Sequence, residues 1–108
     1  MGVDDDRPGS VITVFRSTLR PEFMEEYEPV SQRMIDLARS MPGMVDYKTF
    51  ESADGERVTI VTFDSIEHHQ AWRDHPEHRQ AQSLGRHRFY SGYDIQVATC
   101  IRESHFRR

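Results

Sequence analysis

The chain has 108 residues, 36% of them apolar and 30% charged, with a net charge of −4 and one cysteine. That length suits one domain, able to bury roughly 60 to 70% of its unfolded surface without a disulfide or structural metal. The acidic balance argues against a nucleic-acid footprint, Cys100 has no partner for an intrachain disulfide, and no apolar run approaches the ~20 residues of a membrane span or resembles the core of a signal peptide. A reduced, cytoplasmic protein is expected, and "MGVDDD" is set aside as a myristoylation signal because Asp6 stands where Ser or Thr is needed.

Residues 1–9, "MGVDDDRPG", are acidic and punctuated by Pro and Gly, which predicts a mobile tail. "SVITVFRSTL", 10–19, is rich in β-branched residues. It places Val11 and Phe15 on one face and Ile12 and Val14 on the other, a strand covered on both sides. From Pro21 to about Ser40, Met24, Tyr27, Val30, Met34, Leu37 and Met41 recur every three or four residues, which predicts a long amphipathic helix kinked or split at Pro29. "MVDYKTFES" and "RVTIVTF" flank "ADGE", whose Asp54-Gly55 suits a hairpin turn. "DSIEHHQAWRDH" offers Asp64 or Ser65 as the cap of a short helix. Pro76 stops that helix and opens the next, "PEHRQAQSLGRHRF". In "YDIQVATCI", 93–101, Tyr93, Ile95, Val97, Thr99 and Ile101 alternate as a fourth strand, in which Cys100 reads as a small sheet residue.

The order β-α-β-β-α-β predicts an α+β fold of the ferredoxin-like kind over residues 10–102: an antiparallel four-stranded sheet, helices on one face, and a second helix broken at Pro76. Residues 103–108 are read as a C-terminal tail. The uncovered sheet face is apolar enough to pack on a second copy, so a homodimer is expected.

Three stretches carry a resemblance: "VFRSTLRPEFMEEY", "MPGMVDYKTFESADGERVTIVTFDS" and "AWRDHPEHRQAQSLGRHRFYSGYDIQV". With the "PG" after the first helix, the "DGE" turn and the W-x-x-H-P-x-H run, they resemble the antibiotic biosynthesis monooxygenase (ABM) domain, a dimeric α+β barrel, over about residues 11–101. The resemblance implies a cofactor-independent monooxygenase that oxidises a small aromatic or polyketide-like substrate with dioxygen, the substrate itself supplying the electrons. Such a site needs a dry apolar pocket, a base, and donors for an enolate.

His78 shares a helical face with Ala81, Leu84 and Gly85 and is the expected base. Trp72, aligned with Ile66 and His69, is the expected ring-stacking wall. Arg86 or Arg88 can steady an oxyanion and Tyr90 or Tyr93 can donate to it, so His78, Trp72 and Arg86 are the expected catalytic set. Phe15, His75, Leu84, Phe89 and Tyr90 complete the expected substrate lining, with His75 also placed to serve the helix start. His68, His69, His87 and His105 read as solvent-facing or terminal. No metal or cofactor is expected, because His75 and His78 lack a third ligand at recognisable spacing.

Two alternatives stand beside this reading. One is a non-catalytic homodimer that binds a hydrophobic metabolite. The other is a heme-binding or heme-degrading protein with an altered ligand set, since heme-cleaving relatives of this fold use a strand Asn, a Trp and a His ten residues later. Here Phe15 and Gln82 occupy the first and third of those places and only Trp72 matches.

Overall fold

Alternation in the first long strand decides which side of the sheet is covered. The computed structural model describes residues 2–5 and 9–108. A short strand β1 spans Gly2–Asp5 and β2 spans Val11–Leu19. Along β2, Val11, Thr13 and Ser17 are buried, Ile12 and Val14 are half-buried, and Arg16 and Thr18 are exposed, the period of two that a half-covered strand requires. A 3-10 turn, Pro21–Phe23, leads into helix α1, Met24–Ser40. Strands β3, Met44–Glu51, and β4, Arg57–Phe63, form the expected hairpin. Helices α2, Ile66–Arg73, and α3, Pro76–Leu84, follow, then a wide π-type turn over Gly85–Phe89, strand β5, Tyr90–Thr99, and strand β6, Glu103–Phe106.

The four long strands form one antiparallel sheet in the order β3-β4-β2-β5, as the ferredoxin-like reading predicts. Register puts Val11 opposite Phe63 and Thr13 opposite Val61, so the best-buried strand residues share the face that the helices cover. There Ala38, Val61, Phe63 and Trp72 form the core, with Met41, Met44 and Tyr47 packed against it. Ala38 is fully buried, and its single methyl lets α1 approach the sheet closely. The opposite face carries Ile12, Val14, Val58 and Ile60, all only half-buried, with Phe50 exposed.

Three local expectations change. Helix α1 runs through Pro29 as one element: Pro29 lies in its second turn, so its missing donor costs a single bond near the helix start. The last long strand begins at Tyr90, and Ile101 lies beyond it, 82% exposed. The two segments read as tails also meet, Gly2–Asp5 pairing antiparallel with Glu103–Phe106. A backbone ladder needs no apolar period, so neither segment announces it in sequence. Residues 1 and 6–8 of the expected N-terminal tail lie outside the described residues.

The turn between α1 and β3 depends on Gly43, whose φ is +80° and whose carbonyl accepts from the Asp64 amide at 2.8 Å. A Cβ there would run into the His68 ring and the Asp64 carboxylate, which hold each other at 2.6 Å. Gly43→Ala therefore combines a left-handed backbone penalty of about 1–2 kcal/mol with a steric one of similar size. Urea denaturation should show the full loss in the single variant. Adding His68→Ala should return the steric part and leave the backbone part.

Candidate active site

Pro76 builds the site by what it lacks. Without an amide hydrogen it cannot continue α2, which ends at the Asp74 and His75 amides bonding back to the carbonyls of Gln70 and Trp72. The ring then sets the first turn of α3, and His75 caps that helix, its Nδ1 accepting from the Glu77 amide at 3.1 Å. Across this joint the rings of Trp72 and His78 stack with centroids 4.1 Å apart and planes 27° from parallel. Phe63 packs against Trp72 with ring centroids 5.4 Å apart.

The stacked pair forms one end of a cavity of about 210 Å³ between helices and sheet. Val30, Met34 and Ala81 supply its helix wall, and Phe15, Val61 and Phe89 part of the opposite wall. Towards β5 it opens past Ile95 and Val97, inward-facing residues that remain 44% and 50% exposed because no helix covers that edge. The far end holds tyrosines. Tyr27, Tyr47, Tyr90 and Tyr93 line it, with Tyr90 edge-on to Phe15 at 5.4 Å and the Arg57 guanidinium 5.7 Å from the Tyr27 ring.

Every ionisable group for which the cavity changes the equilibrium is pushed towards its neutral form. Burial lowers the pKa of His78, and the Arg73 carbonyl, which accepts from its Nδ1 at 3.3 Å, offsets this in part. That hydrogen bond places the proton on Nδ1 and leaves Nε2 as a lone-pair base. Burial, then the positive charge of Arg73, lowers His69. Burial raises the Tyr47 phenol to about 12 and raises Tyr90 further, with Tyr27 adding to both. These two phenols therefore stay protonated donors at neutral pH. The polar atoms Thr13 Oγ1, His69 Nδ1 and Trp72 Nε1 are buried with no hydrogen-bond partner among the described residues, and all three residues line the cavity. Unpaired buried polar atoms of this kind are costly.

Of the residues the sequence nominates, the structure brings together His78, Trp72, Phe15, Phe89 and Tyr90. Tyr93, the alternative donor, also lines the cavity, while the remaining nominees do not. Arg86 is exposed and absent from the cavity lining, and Arg88 pairs with Glu26 at 2.6 Å on the surface. His75 faces the Glu77 amide as a cap, and Leu84 is 39% exposed, because the helical face beginning at His78 turns outward before residue 84. Ile66, expected beside Trp72, is also exposed. His69, read as solvent-facing, is instead only 4% exposed and packs edge-on to Phe63. Its position three residues before Trp72 was the available signal: one helical face buries both. Thr13, Tyr27 and Tyr47 were legible only as strand and helix residues, and the register brings them to the cavity.

The antiparallel ferredoxin-like sheet with a ligand-sized cavity beneath its helices defines a class of small α+β domains. The chain matches the antibiotic biosynthesis monooxygenase family over residues 10–84 and belongs to that family. It is 32% identical over 94 residues to YqjZ, an uncharacterized protein of Bacillus subtilis, a match covering 87% of this chain and 82% of YqjZ. Among solved structures, Rv0793 from Mycobacterium tuberculosis superposes with a TM-score of 0.73 at 22% identity, over 82% of this chain and 92% of that one. SnoaB, a cofactor-independent oxygenase from Streptomyces nogalater, superposes with a TM-score of 0.70 at 19% identity, over 85% of this chain and 93% of that one.

The two lowered imidazoles carry a consequence for stability. The unfolded chain binds protons at His69 and His78 at pH values where the native state does not. Their contribution is therefore complete above the ordinary imidazole value near 6.5 and is lost as pH falls through it towards the lower native values. The urea midpoint should drop between pH 7.5 and 5.5, before carboxylates titrate. Replacing both His69 and His78 with Gln should flatten the dependence.

Proposed function

We propose that the protein is a cofactor-independent monooxygenase acting on a small polycyclic phenol or enol. The observation that carries the reading is His78: a neutral imidazole with its proton fixed on Nδ1, stacked on Trp72 at the wall of an aromatic cavity. The family match and the fold shared with SnoaB support the reaction class.

In this reading the substrate rings lie in the cavity beside the stacked Trp72–His78 pair, and Nε2 of His78 removes a proton from the phenol or the adjacent CH2 group. The resulting anion is held by neutral donors, the protonated phenols of Tyr47 and Tyr90. One electron passes from the anion to dioxygen, and the substrate radical and superoxide combine to form a C–O bond. The peroxide takes up a proton from the His78 imidazolium. Loss of the remaining C–H proton then breaks the O–O bond, leaving a carbonyl and one water. Overall a CH2 group and O2 become C=O and H2O. Exclusion of water from the apolar walls strengthens each donor and protects the radical pair.

Oxygen uptake with a panel of phenolic tricycles, such as anthrones, tests this. Uptake should persist with a chelator present, and His78→Ala should lower kcat by about 10²- to 10⁴-fold. Tyr90→Phe, which keeps the ring but removes a phenol donor, should lower kcat by about 10²-fold. The acid limb of the kcat/KM profile should lie below the ordinary imidazole range, because burial favours the neutral base. Full activity in His78→Ala would remove the mechanism.

We also propose that the open sheet face makes the protein a homodimer. Ile12, Val14, Val58, Ile60 and Phe50 form an apolar area of the kind that pairs sheet to sheet. Light scattering should give twice the 12.7 kDa chain mass. Ile60→Glu should give the single mass with the secondary structure retained.

A further inference from the structure

Beside the cavity, on the outside of the joint between α2 and α3, lies a shallow groove lined by Arg73, Asp74, Arg79, Gln82 and Arg86. Two of these, Arg73 and Gln82, also line the cavity, so groove and cavity adjoin, separated by a pair of shared side chains. The spacing of Arg79, Gln82 and Arg86, three then four residues, sets them along one side of α3 and the turn after it. Arg73 comes from the end of α2 on the other side of the joint.

The charge in this groove runs against that of the whole molecule. The chain carries −4, yet the groove sets three guanidinium groups against one carboxylate. Asp74 is shared, bonding to Arg73 at 3.1 Å and to Arg79 at 3.3 Å, and Arg86 makes no ion pair among the described residues. Elsewhere on the surface, Arg33, Arg88 and Arg16 each face a carboxylate of their own, Glu77, Glu26 and Glu56. An uncompensated cationic strip at the edge of an aromatic cavity fits a ligand with two unlike ends.

We propose that the groove binds a carboxylate on the same molecule whose rings fill the cavity, so that the substrate is an aromatic acid. Its fused rings fill the cavity beside Trp72 and its chain passes between Arg73 and Gln82. The carboxylate meets the forked donors of Arg79 and Arg86, which suit a planar oxyanion. The Gln82 amide, at the crossing, can donate to an oxygen on the linking chain. This inference rests on the reading of the cavity as the ligand site, and it adds the charge and shape of that ligand.

Trp72 is the only tryptophan, so quenching of its emission reports occupancy of the cavity directly. Anthracene bearing a propanoate chain at C2 and its uncharged propanamide, a carboxamide of nearly the same shape, serve as probes. At low salt the carboxylate should bind about tenfold more tightly, and 0.5 M salt should remove most of that preference, as expected for an exposed charge contact. The double variant Arg79→Gln, Arg86→Gln should lose the preference and bind the carboxamide as the parent protein does. Equal affinity for the two probes, or a preference that survives in the double variant, would overturn the proposal, as would failure of both probes to quench Trp72. A salt-sensitive carboxylate preference without oxygen uptake would instead defeat the oxygenase reading and leave the acid-binding groove standing.

Discussion

The break at Pro76 is the constraint on which the site depends. On a continuous α-helix each residue turns about 100°, so residues six apart point roughly 120° away from each other and their rings cannot meet. Trp72 and His78 are six apart, and they stack at 4.1 Å because α2 stops and α3 starts in a new direction. The same break sets the His78 tautomer: the Arg73 carbonyl, in the last turn of α2, accepts from His78 Nδ1. Proline thus contributes no chemistry of its own but decides which chemical groups become neighbours.

The break also needs an anchor, and the sheet provides one. Phe63 at the end of β4 is fully buried and packs against Trp72, while Val11 lies directly opposite it on β2. Ser65, two residues on, caps α2 by accepting from the His68 amide at 3.2 Å. The direction of α2, and hence of the indole, is therefore fixed from a well-packed strand end. On the other side, Arg33 of α1 holds Glu77 of α3 through two hydrogen bonds of 2.8 and 2.7 Å. Exposed pairs of this kind add little stability, but this one links the first turn of α3 to the long helix that forms the cavity wall.

How much of this could be read in advance follows from the range of each interaction. Strand β2, the Asp54-Gly55 turn, the Ser65 cap and the Pro76 break were legible because each is decided by residues within a few positions of one another. His78 and Trp72 were legible as a pair because both lie beside that break. The tyrosine end of the cavity was not, since Tyr27, Tyr47 and Tyr90 come from α1, β3 and β5 and meet only when the sheet takes its order. Leu84 and His69 failed in opposite directions for one reason. Helical spacing says which residues share a face but leaves open where a short helix rolls against its neighbours, and here α3 turns Leu84 outward while α2 turns His69 inward.

Arg86 gives the most instructive displacement. A cation was expected inside the cavity to hold an anionic intermediate. The structure lines the Tyr47 and Tyr90 end with neutral phenols and keeps Arg79 and Arg86 outside, where water solvates them. The physical reason lies in desolvation. A guanidinium enclosed among Phe15, Phe89 and Val61 would demand a carboxylate partner, since a buried charge without one is strongly destabilising. Neutral donors with raised pKa values avoid that demand, since they stabilise charge as it develops and carry none beforehand. Gln82 stands where the two environments join, lining both the cavity and the groove. An amide at that position can donate to a ligand from either side without titrating.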